Sequence, residues 1–314
     1  MKEQLNEWGR QRKPFVFLID FECQKPLAWL TEEIGDKVKF QFQGVSNGVK
    51  KRNHSDALDL KPDPISLSSY KMMFDNVKSQ IEYGNSFLTN LTCRTPINIG
   101  LSLEEIFNIV NSKYSFYLKD EFVCFSPETF VKIHENQIYS FPMKGTIHAA
   151  IENAQQLIMY DHKEQAEHAT IVDLIRNDLS RVAKRVLVKR YRYYEEIKTN
   201  MGIIGQISSE IIGELEPNFN EQIGDILFEL LPAGSVSGAP KKKTLEIIRK
   251  SEMLPRGYYT GVAGYFDGKD LDSCVLIRYI DKDNLYYSGG GITFQSDLES
   301  EYLEMIKKIY VPIH

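Results

Sequence analysis

Short apolar runs rich in Val, Ile, Phe and Tyr recur along the chain, bounded by Gly, Pro, Asn or Asp, and read as strands. They are KPFVFLID (13–20), SFLTNLTCR (86–94), EFVCFSP (121–127), QIYSF (137–141), NMGIIGQISSEI (200–211), GVAGYFD (261–267), DSCVLIRYI (272–280) and NLYYSGGGITF (284–294). Between them the apolar positions take a helical spacing. This holds for PISLSSYKMMFDNVKSQIEYG, which ends at Gly84, and for SLEEIFNIVNSK, AEHATIVDLIRNDLSRVAKR (166–185), KKKTLEIIRKSE (241–252) and the C-terminal DLESEYLEMIKKIY. The two kinds of segment do not alternate one for one, and several strands follow one another through short turns. That order favours a mixed α+β fold of large, mainly antiparallel sheets flanked by helices over a doubly wound Rossmann type. No repeat, low-complexity tract or long linker divides the chain, so residues 1–314 are expected to form a single domain.

Composition narrows the picture. With 314 residues, 42% hydrophobic and 26% charged, the chain has enough apolar surface for a sizeable core. The net charge of -5 is small and the Lys and Arg residues are scattered, so no basic stripe marks a nucleic-acid partner. No apolar run is long enough to span a bilayer, and the start, MKEQLNEWGRQRKPFVFLID, carries no signal-peptide pattern. A cytoplasmic protein without a membrane partner is expected. Cys23, Cys93, Cys124 and Cys274 lie far apart and mostly in apolar runs, which reads as buried free thiols rather than a disulfide framework or zinc site.

Two helical segments each carry a pair of glutamates three residues apart, Glu164 with Glu167 and Glu301 with Glu304, so each pair shares a helical face. Glu-x-x-Glu on a helix is ordinarily a solvated face. Two such pairs brought together by the fold, however, would make a hard, oxygen-rich site that suits Mg²⁺ better than zinc. A second theme is small residues. LLPAGSVSGAPKKKTLEII runs through Gly234, Ser235, Ser237 and Gly238 into a helix, and backbone N–H groups there can cradle an anion, if the loop is not a plain turn. Gly289–Gly291 offers another place for close backbone approach. Neither a Walker A order nor a GxGxxG fingerprint is present, which favours a carboxylate over a nucleotide phosphate. Arg278 in CVLIRYI calls for a planar anionic partner, either a ligand carboxylate or an internal ion pair. Lys144 in SFPMKGTIHA has no basic neighbour, and is either a surface cation or a reactive amine.

Seven segments in order resemble the chorismate-utilising enzymes, the family of anthranilate synthase component I, aminodeoxychorismate synthase component I, and isochorismate and salicylate synthases. They are SPETF (126–130), PMKGT (142–146), EHATIVDLIRNDLSRVA (167–183), GSVSGAPK (234–241), RGYYTG (256–261), IRY (277–279) and GGGITFQSDLESEYLEM (289–305), within a matching core of 70–314. The resemblance implies the family's α/β sandwich with the active site between its lobes. It implies that Glu167 and Glu304 hold Mg²⁺ with Glu164 and Glu301 in support, and that the metal grips the ring carboxylate of chorismate. Tyr259, Arg278, Ser237, Thr146 and the backbone of Gly289, Gly290 and Gly291 match substrate-binding positions. Glu128 matches the general acid that assists departure of the C4 hydroxyl.

Lys144 points within the family to aminodeoxychorismate synthase component I, a Mg²⁺-dependent transferase of folate and 4-aminobenzoate biosynthesis, because anthranilate synthases usually carry alanine there. Held between Pro142 and Gly145, the lysine is expected to be desolvated, with a lowered pKa and a free amine. Leu88 stands where isochorismate and salicylate synthases carry a water-activating lysine, which disfavours water addition. Gln206 stands where the family often has histidine. Residues 1–69 read as a shortened N-terminal region without the family's tryptophan-binding segment, so feedback by tryptophan is not expected. No cysteine lies in a Gly-x-Cys-x-Gly elbow, so ammonia is expected from a separate glutamine amidotransferase subunit or from solution. No fused lyase is expected after the last helix. Anthranilate synthase component I, and a non-catalytic relative that binds a glutaminase, are the alternatives.

Overall fold

The computed structural model describes residues 1–42, 44–48, 59–199 and 202–313. Among these, eighteen strands build two antiparallel sheets of nine strands each. The first sheet runs Met143–His148, Gly202–Glu214, Gln137–Ser140, Thr129–His134, Leu271–Val275, Val262–Phe266, Phe15–Ile19 and Leu27–Leu30, with Lys184–Thr199 paired to Gly202–Glu214 outside this path. The second runs Gly238–Ala239, Leu88–Asn98, Leu285–Thr293, Tyr279–Asp281, Phe122–Cys124, Tyr114–Leu118, Val38–Phe42 and Val45–Ser46, with Lys61–Pro62 paired to Leu88–Asn98.

Side-chain direction explains the layering. In Phe15–Ile19 every residue is buried. Phe15, Phe17 and Ile19 face the helices His162–Leu179 and Ile223–Leu230, while Val16 and Leu18 meet Phe40, Phe116, Phe122 and Tyr279 of the second sheet. A strand covered on both faces needs a continuous apolar run, which is what FVFLI supplies. Val38–Phe42 alternates buried and half-buried positions instead. The outer face of the second sheet is covered by Leu67–Glu82, Lys241–Glu252 and Leu298–Lys307, whose Tyr70, Phe74, Ile247 and Met305 pack on Leu91, Cys93 and Ile292. The α+β reading is therefore correct, and residues 1–69 contribute Phe15–Ile19 to the interior of the first sheet.

Helix ends follow local rules. Ser66 caps Leu67–Glu82 through the Ser69 N–H, and Gly84, at a φ of 88, closes that helix onto the Ile81 carbonyl. Asp161 and Asp297 cap the two acidic helices, His162–Leu179 and Leu298–Lys307, accepting from the Glu164 and Ser300 N–H groups. Two sequence expectations change. The helix read over 166–185 starts earlier and stops at Leu179; Val182, Ala183 and Val186 are instead drawn into the first core, and Lys184–Thr199 is a strand. The run 272–280 is not one strand, because the chain crosses between sheets after Val275 and resumes at Tyr279. The first two residues of the strand read over 200–211 lie outside the described residues. All four cysteines are free, three of them buried, as expected.

Candidate active site

Two strands of different sheets and two helices converge at one cleft. Met143–His148 carries Lys144, Leu285–Thr293 carries the three glycines, and the capped helices His162–Leu179 and Leu298–Lys307 carry the glutamate pairs. The cleft encloses about 630 Å³ of empty space, partly open to solvent, with Lys144, Glu167, Glu128, Asn90, Ser237 and Gly291 on its walls.

Lys144 lies among carboxylates. Its Nζ is 2.7 Å from Glu167 Oε2, and Glu304 and Glu164 are close enough to act on its charge. Burial alone would lower the pKa of this amine, but the three carboxylates outweigh it and the pKa is raised. The expectation of a lowered pKa is thus corrected: desolvation by Pro142 and its neighbours is real, yet the fold places Glu167 directly against the ammonium. Gly145, at a φ of 84, lets the strand pass under Glu164, whose Oε2 would stand 2.8 Å from a Cβ at that position. Glu164 Oε2 is buried without a hydrogen-bond partner, and burial raises the pKa of this carboxyl group.

The second acidic helix presents Glu301 and Glu304 across Gly290, where an added Cβ would be 3.3 and 3.6 Å from their oxygens. Glu301 accepts a hydrogen bond from Ser296 at 2.7 Å, and burial raises its pKa. Glu304 pairs with Lys308 at 2.7 Å; burial opposes ionisation, but Lys308 and Lys144 prevail and the pKa is lowered. Lys308 also donates to the Gly289 carbonyl at 2.8 Å. The four expected metal ligands therefore gather in one region. As the chain stands they face ammonium groups, and no three acidic, histidine or cysteine side chains among the described residues meet closely enough to hold an ion. The donor chemistry nevertheless fits a hard dication: every donor is a carboxylate oxygen, and one of them is buried and unbonded.

Glu128 also lines the cleft. Ser235 donates a hydrogen bond to its carboxylate, and its N–H is bound by Ser126 Oγ at 3.0 Å. Burial raises the pKa of Glu128 despite Ser235, Arg278, Lys308 and Lys113. Arg278, at the crossing between sheets with a φ of 57, stacks its guanidinium on Tyr310 with Cζ 5.0 Å from the ring centroid. It makes no ion pair with a carboxylate among the described residues, so its neighbours are chiefly phenols.

The remaining expected residues are less central. Ser237 is fully buried and donates to the Ala233 carbonyl at 2.9 Å, turning into the single helical turn Gly234–Ser237. Gly238, at a φ of 129, passes the Leu88 carbonyl so closely that a Cβ would stand 1.9 Å from it. The helix N-terminus after it is taken by Lys241, which pairs with buried Asp178 at 2.9 Å. Tyr259 is packed among Tyr279 and Tyr287, and Thr146 is exposed on its strand opposite Gln206. Gln206 is buried and donates to Glu195 and Ser208.

A profile of the chorismate binding enzymes matches residues 12–314. The chain belongs to this family. A Haemophilus influenzae protein named "Uncharacterized PabA-like protein" is 50% identical over 315 residues, covering 99% of this chain and 96% of its own length. Bacillus subtilis aminodeoxychorismate synthase component 1 is 31% identical over 266 residues; the match takes in 79% of this chain and 55% of that relative. The crystal structure of anthranilate synthase component I from Streptococcus pneumoniae superposes with a TM-score of 0.67 at 26% identity, over 84% of this chain and 60% of the other. This is accordingly a chorismate-utilising enzyme, and its family match begins well before residue 70.

Sequence reasoning missed several residues in and around this cleft. Lys308 follows Glu304 by four residues, a spacing that announces an ion pair, whereas Asn90, whose buried Oδ1 has no partner, gave no signal in its strand. Ser235 stood in the quoted GSVSG loop without a role, and only the tertiary fold brings it to Glu128.

Proposed function

We propose that this enzyme is the synthase subunit that converts chorismate and ammonia to 4-amino-4-deoxychorismate for folate and 4-aminobenzoate synthesis. The observation that carries this reading is Lys144, set against Glu167 in the cleft that Glu128 also lines. The substrate is a dianion. Arg278, lacking a carboxylate partner, is the group for one substrate carboxylate, and Gly291, on the cleft lining with Lys144 Nζ 4.0 Å from the place of a Cβ, lets another come close.

Mg²⁺ held by Glu167 and Glu304, with Glu164 and Glu301 behind them, would supply charge neutralisation for the ring carboxylate. The chain's own groups supply the rest. Lys144 can attack only as a neutral amine, so it must first leave its ion pair with Glu167 and lose a proton to solvent, to which the cleft is partly open. Its Nζ then forms a bond to C2 as both ring double bonds shift, C1=C2 to C1=C6 and C5=C6 to C4=C5, and the C4–O bond breaks. Glu128, whose pKa is raised by its buried setting, delivers its proton to that oxygen, which departs as water. Ammonia next adds at C4, the C2–N bond breaks, Lys144 is released, and the proton shed by the incoming nitrogen returns to Glu128. Two easier substitutions replace one hard one. Ammonia would come from a separate glutaminase subunit or from solution.

Purified chain given chorismate, Mg²⁺ and ammonium chloride should form 4-amino-4-deoxychorismate. Without ammonia, rapid quenching and peptide mass spectrometry should find an adduct on Lys144. Lys144→Ala should lose several orders of magnitude in rate, or shift toward anthranilate if ammonia then attacks C2 directly. Anthranilate and pyruvate from the unmodified enzyme would replace this reading with anthranilate synthase component I. A Lys144→Ala enzyme with the parent's rate and product, and no adduct in the parent, would return Lys144 to an electrostatic role.

A further inference from the structure

Arg278 is held in an unusual way for a half-buried cation. Its backbone sits in the left-handed region, and the segment around it is pinned: the Arg278 carbonyl accepts from Phe125 at 3.0 Å, and Leu276 exchanges 2.8 Å bonds with Gly261 and Thr260. With the main chain fixed, only the side-chain torsions remain to aim the guanidinium. Its Nε has no hydrogen-bond partner and no carboxylate pairs with it. What holds its plane is Tyr310, which places its ring 5.0 Å from Cζ and brings its phenol oxygen close enough to act on the guanidinium.

Tyr310 is itself firmly seated. Its carbonyl accepts from the Tyr286 hydroxyl at 2.9 Å, while the residues on either side, Ile309 and Val311, are buried in the core beneath the second sheet. Just beyond, the Pro312 carbonyl accepts from Asn111 at 2.8 Å, and Ile313 bridges Val110. The tail therefore offers a rigid aromatic platform.

We propose that Tyr310 is a positioning residue for substrate binding: its ring and hydroxyl fix the guanidinium plane of Arg278 so that two N–H groups meet a chorismate carboxylate side by side. This rests on the reading of Arg278 as a carboxylate anchor. It makes the segment following the second acidic helix part of the binding apparatus, tied at one end to Lys308 and Glu304 and at the other to Arg278.

The test is chorismate binding by calorimetry in ammonia-free buffer with Mg²⁺, on the full chain and three variants, with melting temperature recorded for each. Arg278→Lys should weaken binding by about tenfold or more, because an ammonium cannot pair bidentately. Tyr310→Leu should raise the Kd by roughly tenfold and Tyr310→Phe by a few fold, with kcat in ammonium chloride within about twofold of the parent's. Combined with Arg278→Lys, Tyr310→Leu should add little, since the two residues act as one unit. A purely structural tyrosine would lower the melting temperature without this split, and its effect would add to that of Arg278→Lys. If Tyr310→Leu fails to fold, Tyr310→Phe decides. Unchanged Kd in the tyrosine variants beside a weakened Arg278→Lys would overturn the positioning role and leave the anchor intact. Unchanged Kd in Arg278→Lys would overturn the anchor and the positioning role together.

Discussion

In the proposed reaction Lys144 and Glu167 form the contact on which the chemistry turns, since an ammonium 2.7 Å from a carboxylate is stable and unreactive. Freeing the amine requires another cation for Glu167. Under the proposed Mg²⁺ site, Glu167→Gln and Glu304→Gln should therefore each abolish turnover while far-UV circular dichroism stays unchanged, because each would remove a hard anionic ligand. Full activity in EDTA would remove the metal from the scheme. Glu128 allows a separate prediction from its raised pKa. The folded chain holds this proton to higher pH than the unfolded chain does. The stability it contributes is full below the unfolded carboxyl value and is lost as pH rises through the folded one. Glu128→Gln, which cannot ionise, should melt higher than the parent at about pH 8, and the difference should shrink on acidification toward the unfolded value. A gap that widens at low pH would contradict a destabilising ionisation at this site.

At the scale of elements, the site depends on where two helices begin. Asp297 binds the Ser300 N–H at 3.0 Å and so fixes the start of the helix that presents Glu301 and Glu304. Asp297→Ala should cost about 1 kcal/mol in urea denaturation, and Asp297→Asn much less, since asparagine caps nearly as well. Equal losses in the two variants would show that the cap is not what the aspartate supplies. The GSVSG turn is stricter. Gly238 combines a φ of 129 with a Cβ position 1.9 Å from the Leu88 carbonyl, so Gly238→Ala must strain the backbone and push Leu88, which lines the cleft. A loss on the order of 3 kcal/mol is expected from strain and clash together, read as a lower urea midpoint at unchanged slope. Wild-type stability would mean that the turn relaxes without cost.

For the whole molecule, two sheets packed face to face place Lys144 on one sheet and Gly289–Gly291 on the other, with the acidic helices closing the space between them. This arrangement supplies a cleft, carboxylates and cations, but no thiol placed for amide hydrolysis: Cys93, Cys124 and Cys274 are buried, and burial pushes the half-buried Cys23 thiol up to about 11. The chain alone should therefore use ammonium salts and not glutamine. Glutamine-dependent turnover by the highly purified single chain would contradict this.

Local patterns in the sequence determined the helices at 67–82, 241–252 and 298–307 and most of the central strands, because capping, period and strand propensity act over a few residues. They also determined the spacing of the two Glu-x-x-Glu pairs and the ordered segments by which the family could be read. They did not reveal the strand Lys184–Thr199, where the short apolar run Val186–Val188 gives way to Lys, Arg, Tyr and Glu residues and which exists because Gly202–Glu214 pairs with it. The aim of each site residue was likewise decided by tertiary structure. Lys144 is protonated rather than free because a helix from elsewhere in the chain sets Glu167 against it. Arg278 bridges two sheets instead of lying within a strand, and Ser235 reaches Glu128 only across 107 residues of sequence. Electrostatic energy depends on distance in space and on burial, and neither is written in the order of residues along the chain.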